Sequence, residues 1–348
     1  MKIIYYIPHD KYSDDGITKK IYNQVYEWQK NGADVKCLWH YKNASTDLSK
    51  GEINYSRFAI PKNTLKLIKD FKPDLIYFRY SSLNFLLLYL LVFYRSIFEI
   101  NGIAHTEKKP KSFTSYIQHI KNFIHYLSFK IIKQLSPFAI SPTEELKLKL
   151  SLNKCEIIPN SINTDKYTAI KKQYLDRQLE LFFMGTNDYS WFGIHYIEEL
   201  ARLIPEYKFN VIGSSGSNTR NLFFHGYLTR VKYLEILKKC SICIGTLALH
   251  ERGLQESRPL KVREYIAYGY PIIVNYKDQN NVMDKDWCLF LNINKIEDLE
   301  SKVEEIKEFC NKYKNYTLSK DDISIVSSSK IESDRFKVMK QYSQKGLF

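Results

Sequence analysis

Six cysteines in 348 residues are too few for a disulfide scaffold, which belongs to much shorter secreted chains. The one C-x-x-C pair, Cys240 and Cys243, falls where a helix runs into an apolar strand. No second pair completes a zinc site, so these thiols are expected to be structural. Long hydrophobic runs are also missing. The strongest, Leu83 to Phe93, is about half of the ~20 residues a membrane span needs, and a buried helix is expected there. The opening Met1-Lys2-Ile3-Ile4-Tyr5-Tyr6-Ile7-Pro8 is too short in its apolar part for a signal peptide and reads as a first core strand. Collagen-like, coiled-coil and low-complexity biases are absent. The expected location is the cytoplasm.

Acidic residues are scarce relative to basic ones, and the formal net charge is +14. That charge asks for an anionic partner: nucleic acid, lipid or a phosphorylated small molecule. The imbalance is local. From Lys108 to Thr143 there is no acidic residue, while Lys108, Lys109, Lys111, Lys121, Lys130 and Lys133 all occur. Phe113, Tyr116, Ile117, Ile120, Phe123, Ile124, Leu127 and Ile131 interleave, mostly three or four apart. This is a basic amphipathic helical pattern over 108–133. Two readings stay open: a face resting on an anionic membrane, or a solvated helix packing its apolar side on the domain. Nucleic acid is not an expected partner, because the chain has no RRM, helix-turn-helix or zinc-finger signature.

What is present is an alternation of short apolar strands and amphipathic helices. Strands are expected at Ile3–Ile7, Val35–Trp39, Leu75–Phe78, Ile97–Ile100 and Phe138–Ile140, then at Leu181–Met184, Phe209–Ile212, Leu222–Phe224, Ile242–Leu247 and Pro271–Asn275. Ile17, Ile21, Val25 and Trp28 mark one helix face. Ser141 or Thr143 can cap another helix, with Pro142 in its first turn. Apolar strands separated by helices mean parallel sheets covered on both faces. Two such series mean two doubly wound α/β domains, 1–160 and 161–325, followed by a helix in 326–348 that can cross back to the first. The polar stretch from Lys166 to Gln178 reads as linker. Ligands of such sheets sit at strand carboxyl ends, which favours Gly16, Asn101, Gly185, Gly213, Gly226 and His250.

The densest chemistry runs from Gly253 to Pro271. Glu256 and Glu264 flank a helix start where Pro259 suits the first turn. Exposed N–H groups there can receive a phosphate. Arg258, Lys261 and Arg263 add positive charge. Cations for a diphosphate plus two separate carboxylates for hydroxyls is what a nucleotide sugar needs. The plain alternative is a surface helix with Lys261 paired to Glu264.

This segment resembles the Glu-x7-Glu motif of glycosyltransferase family 4, a retaining family of GT-B fold. Tyr265-Ile266-Ala267-Tyr268-Gly269-Tyr270-Pro271 is similar to the run that follows it there. Lys72-Pro73-Asp74-Leu75-Ile76-Tyr77, Ala139-Ile140-Ser141 with Glu145-Leu146, and Ile157-Ile158-Pro159-Asn160-Ser161-Ile162-Asn163 resemble further motifs of that family, in order, up to about residue 275. Gly185-Thr186, Trp191-Phe192-Gly193 and Gly245 to His250 look like transferases of bacterial capsule and surface polysaccharides.

The resemblance implies a nucleotide-sugar donor, a UDP-sugar by expectation, and a glycan or lipid-linked acceptor. Two Rossmann-like lobes would face a central cleft. Glu264 would bind the donor ribose and Glu256 the sugar hydroxyls. Arg258, Pro259 and Leu260, with Lys261 and Arg263, would hold the diphosphate. Gly226 and Tyr227 would sit beside the nucleobase, and Gly185, Thr186, Gly213 and His250 around the donor. Glu256, Lys261 and Asn101 are the catalytic candidates; His9, Gly16, Lys19 and Gly102 would line the acceptor side. The leaving group is a nucleoside diphosphate with rising charge, so fixed cations and helix-end amides do the stabilising. No metal or other cofactor is expected.

Two departures stand out. Gly185 to Gly193 reads Gly-Thr-Asn-Asp-Tyr-Ser-Trp-Phe-Gly, without the Arg and Lys the family places there. Asn101 replaces the usual His and cannot act as acid or base. A non-catalytic GT-B subunit is therefore the alternative to an enzyme, with an epimerase of the same fold and a nucleic-acid-binding protein further behind.

Overall fold

The computed structural model describes residues 1–9, 16–40, 52–55, 62–102, 115–172, 178–278 and 282–344. Among them the chain forms two compact units. The first runs to Ser161 and takes back the terminal helix from Ser328; the second is Ile162–Ser327.

The first unit is built on a seven-stranded parallel sheet. Its strands are β1 (Lys2–Ile7), β2 (Asp34–His40), β3 (Glu52–Tyr55), β4 (Leu75–Arg79), β5 (Ser96–Glu99), β6 (Phe138–Ser141) and β7 (Lys154–Ile157), in spatial order β3-β2-β1-β4-β5-β6-β7. Order reverses between β1 and β4, where Ile3 pairs with Leu75 and Tyr5 with Tyr77. Ile3 to Ile7 are buried throughout, as a strand covered on both faces requires. The covering helices are α1 (Gly16–Lys30), α2 (Lys62–Phe71), α3 (Phe85–Phe93), α4 (Ser115–Leu135) and α5 (Glu144–Lys149). Thr143 caps α5 by accepting from Leu146 N at 3.2 Å, so Pro142 precedes the cap rather than sitting in the first turn. Leu83–Phe93 is not the fully buried helix expected. Leu86, Leu87, Leu90 and Leu91 of α3 face inward, whereas Phe85, Val92 and Phe93 are exposed.

The second unit carries β8 (Glu180–Met184), α6 (Ile194–Leu203), β9 (Lys208–Ile212), β10 (Leu222–Phe224), α7 (Arg230–Leu237), β11 (Ile242–Ile244), α8 (Leu260–Ala267), β12 (Ile272–Val274), β13 (Cys288–Phe290), α9 (Val303–Tyr313) and α10 (Lys320–Ser324). Its six strands are ordered β10-β9-β8-β11-β12-β13, all parallel. The reversal falls between β8 and β11, so Gly185 and Gly245 lie at the switch point of the sheet. Lys166 to Gln178 is not a free linker where it is described. Ile170 N donates to Tyr268 O at 2.9 Å, and Lys172 Nζ to Ser241 O at 2.7 Å.

The terminal helix α11 (Ser328–Gln344) belongs to the first core. Phe336 and Met339 pack with Trp28, Tyr77 and Ile140, each such burial stabilising by about 1.5–3 kcal/mol. Beside them lies a buried charged network. Lys20 Nζ pairs with Glu99 and donates to Asn160 Oδ1 at 2.6 Å. Arg335 Nε donates to Glu332 at 2.8 Å, and its Nη2 to Pro159 O at 3.2 Å. Glu332 also accepts from Ser161 at 2.8 Å and from Trp28 at 3.2 Å. Burial lowers the Lys20 ammonium from its ordinary 10.5 to about 8. Burial also opposes ionisation of Glu99, yet Lys20 and Arg335 hold its carboxyl well below the usual range.

Candidate functional site

Three glycine-bearing loops meet at the carboxyl edge of the second sheet. Gly185 N, after β8, donates to Ile212 O at 2.9 Å. Gly213 N, after β9, donates to Gly226 O at 2.8 Å, and Gly226 N, after β10, to Ser214 O at 3.1 Å. Gly213 has φ +88°, and a Cβ there would lie 2.8 Å from Gly185 O, so the close approach needs glycine on both counts. Tyr227 follows with 80% of its surface exposed, its hydroxyl donating to Thr186 Oγ1 at 3.3 Å. Five of the residues selected from sequence, Gly185, Thr186, Gly213, Gly226 and Tyr227, therefore form one rim with a projecting aromatic ring.

Helix α8 enters this rim from the other side of the switch point. Two of its residues, one turn apart, hold Met184 at the end of β8. Tyr265 OH accepts from Met184 N at 2.9 Å, and Lys261 Nζ donates to Met184 O at 2.8 Å. The Lys261 ammonium lies 4.3 Å from the Phe183 ring centroid and 4.9 Å from that of Phe192. Burial lowers it from its ordinary 10.5 to about 7. Lys261 thus reaches the loop that lacks the Arg and Lys. Pro259 is the residue before the helix, with extended backbone (φ −67°, ψ 138°), rather than its first helical residue. Arg263 N donates to Pro259 O at 3.2 Å, and the N–H groups of Leu260, Lys261 and Val262 form the open first turn.

Glu264 lies three residues beyond Lys261 and turns to α7. It accepts a short hydrogen bond from Tyr233 OH. Tyr233 belongs to an aromatic and guanidinium cluster: Arg230 Nε donates to Tyr268 OH at 2.8 Å and its guanidinium stacks 4.6 Å from the Tyr167 ring. The sequence reading missed Tyr233 and Arg230. Their position at the start of α7, just after Gly226-Tyr227, is the signal that pointed to them.

Arg258 and Arg263 require correction. Both were expected to face the diphosphate, and both are only 2% exposed. Arg263 makes a two-pronged pair with Asp278 at 2.5 and 2.9 Å, and Arg258 Nε lies 3.4 Å from the same carboxylate. Such paired, buried charges hold the loop together and are costly to break. The backbone of Gln255 to Ser257 pairs with Lys277: Lys277 N donates to Gln255 O at 2.7 Å, and Ser257 N to Lys277 O at 3.1 Å. Glu256 is set between them at an isolated bridge. The Arg258 charge acts on Asp278 and, more weakly, on Glu256.

His250 lies after β11. Its Nε2 is 3.1 Å from Tyr196 OH, and burial lowers its pKa below the ordinary 6.5. Cys240 and Cys243 are buried, as structural thiols are, and burial raises both. Among the described residues no cluster of His, Cys, Asp or Glu has metal-binding geometry.

The remaining candidates lie in the first unit. Gly16 is the first residue of α1, not a loop residue. Lys19 is exposed, while its neighbour Lys20, unselected from sequence, is the buried cation. Asn101 Nδ2 donates to Glu99 at 2.7 Å, and its Oδ1 accepts from Lys20 at 3.3 Å, so its amide belongs to the buried network. His9 and Gly102 are half-buried at the carboxyl ends of β1 and β5.

Comparison with known proteins supports the fold. No family model matches the chain. An uncharacterized glycosyltransferase of Methanocaldococcus jannaschii is 24% identical over 180 residues, 45% of this chain and 44% of that protein. The chain thus matches less than half the length of this curated relative. Among solved structures, the lipopolysaccharide outer core galactosyltransferase WaaB superposes with a TM-score of 0.65 at 13% identity, covering all of both chains. An alpha-glucosyltransferase in complex with UDP and a 13-mer DNA superposes with a TM-score of 0.63 at 14% identity, over 98% of this chain and all of that one. Two parallel-sheet α/β units in this order define the GT-B architecture of those glycosyltransferases.

Proposed function

We propose that the chain is a retaining, metal-independent glycosyltransferase that takes a sugar from a UDP-sugar. The arrangement that carries this reading is α8: Lys261 turned onto the end of β8 and Glu264 turned to Tyr233, beside the glycine rim. The nucleobase stacks on Tyr227 at Gly226. The ribose diol donates to Glu264, whose orientation Tyr233 fixes. The diphosphate rests on the first-turn N–H groups of α8 and on Lys261. Glu256 accepts from hydroxyls of the transferred sugar.

In the reaction the bond from the anomeric carbon to the phosphate oxygen breaks as the bond to the acceptor oxygen forms on the same face. The acceptor proton passes to the departing phosphate oxygen. Lys261 stabilises the charge that grows there, in a site where burial makes each charge count for more. The acceptor we assign to the first unit, as a glycan or lipid-linked saccharide of bacterial surface polysaccharide synthesis. Support for the donor half comes from the UDP held by the alpha-glucosyltransferase of like fold.

A thermal-shift screen of UDP-, GDP-, ADP- and dTDP-sugars tests this reading. UDP-sugars are expected to raise the melting temperature, and Glu264→Ala to abolish that rise. No stabilisation by any nucleotide sugar refutes it.

A further inference from the structure

Fourteen large hydrophobic side chains are exposed among the described residues, and eight of them lie on two helices of the first unit. On α3 they are Phe85 (68% exposed), Val92 and Phe93 (66%). On α4 they are Phe123 (59%), Ile124, Tyr126, Leu127 and Ile131. On α4 apolar residues line the outward face as well as the inward one. Phe123, Leu127 and Ile131 recur every fourth residue on the outward face, while Ser128, Phe129 and Ile132 pack inward. The two helices are neighbours. Tyr80 OH donates to His125 O at 3.0 Å, and Ser82 Oγ lies 2.9 Å from His125 Nδ1, so α4 is pinned to the segment joining β4 to α3. An apolar surface of this extent marks an interaction site rather than a solvated face.

Charge selects the partner. Neither α3 nor α4 contains an acidic residue. Between Ser81 and Thr143 the acids are Glu99, which is buried, and Glu107, which lies outside the described residues. Lys130 stands on the outward face of α4 with its ammonium 4.7 Å from the Tyr126 ring, and exposed Arg95 follows α3. The Tyr89 ring lies 4.8 Å from that of Phe93, tilted by 43°, adding an amphipathic ring at the same edge. Aliphatic and aromatic side chains with Lys130 and Arg95 at their margin, the latter also donating to Ser343 O at 2.9 Å, suit the boundary between lipid headgroups and acyl chains.

We infer that the joined outward faces of α3 and α4 form a docking surface for an anionic lipid bilayer. The expected 108–133 contact is thereby recast. Lys108, Lys109 and Lys111 lie outside the described residues. The surface instead includes α3, which the sequence offered only as core. Both helices are too short or too polar to span, and among the described residues no helix has the length and apolarity to cross a membrane. This inference does not depend on the donor reading.

Co-sedimentation of the full chain with vesicles tests it. The protein should pellet with mixed phosphatidylcholine–phosphatidylglycerol vesicles, weaken as salt rises, and stay largely soluble with phosphatidylcholine alone. Phe85→Ser with Phe93→Ser on α3 should lower partitioning by about tenfold or more. Lys130→Gln, which leaves the apolar face intact, should lower it by about fivefold. The substituted side chains are exposed, and a melting curve with the UDP shift confirms that each variant remains folded. No binding to anionic vesicles at low salt overturns the inference, as does binding that the α3 variant leaves unchanged. Lipid-free self-association abolished by the same variants overturns it in favour of a second copy. Loss of the UDP shift with vesicle binding intact counts against the donor reading and leaves this one standing.

Discussion

Lys261 should make donor binding pH-dependent, with a sign that follows from its surroundings. Its ammonium has aromatic rings and one carbonyl around it, and burial lowers it to about 7. No carboxylate pairs with it among the described residues, so no opposite charge offsets that burial. A bound diphosphate supplies the missing negative charge and raises the amine again. The donor therefore binds the protonated form. Affinity should be greatest below pH 7 and fall as pH rises through 7, because each binding event must then recruit a proton. An amine with a free pKa near 7 is about nine-tenths protonated at pH 6 and about one-hundredth at pH 9, so affinity should fall by up to about a hundredfold across that interval. Titration calorimetry with UDP-glucose suits the test, since its diphosphate has no ionisation in this range. Measured in two buffers of different ionisation enthalpy, uptake should be about half a proton at pH 7 and approach one above pH 8. Lys261→Met should flatten the profile. Identical pH profiles for wild type and variant, or no proton uptake, would refute the argument.

Three more outcomes follow from the same structure. Tyr227→Ala removes an exposed ring without disturbing packing and should weaken UDP binding by about 1–3 kcal/mol, the range for base stacking on an aromatic side chain, with melting temperature unchanged. Asp278→Ala leaves two buried guanidiniums without their shared carboxylate and should destabilise by about 3–5 kcal/mol, read by calorimetry as a melting temperature lower by about 10 °C or more. Arg335→Met removes the cation that pairs with buried Glu332 in the first core, leaving Glu99 its pair with Lys20, and should cost a similar amount, about 3–5 kcal/mol, measurable by urea unfolding.

The sheets were legible because strands buried on both faces are written as continuous apolar runs. Ile3–Ile7, Leu75–Phe78 and Leu181–Met184 all read this way and all lie in parallel sheets. The same rule hid α3. Nine consecutive apolar residues carry no periodicity, so nothing in the string separates Leu86 and Leu90, which are buried, from Phe85 and Phe93, which are not. The choice of Lys19 over Lys20 is a subtler failure. A single step turns a helical side chain by about 100°. Lys20 falls in line with Gln24 and Glu27 along the flank of the Ile17–Ile21–Trp28 stripe, and all three are buried. That second, polar stripe was visible, but Glu99, which pairs with Lys20, is 79 residues distant and Ser328, which donates to Glu27, is 301 residues distant.

The arginines of the Glu256–Glu264 segment show why spacing finds a site more easily than it assigns roles within it. Arg258, Lys261 and Arg263 are equivalent as charges in a string. What distinguishes them is Asp278, a residue beyond β12 that the sequence reading never considered. It takes up Arg263 by two hydrogen bonds and draws in Arg258, and the Arg258 charge reaches Glu256 as well. These four side chains hold equal numbers of opposite charges, so the pair of guanidiniums supplies little uncompensated field at the start of α8. Their effect is geometric: they fix the approach of the Glu256 loop to the helix. Stabilisation of an arriving diphosphate then falls to the first-turn amides and to Lys261. That is why the lysine, poised near neutrality beside Met184, is where a change of pH should be felt.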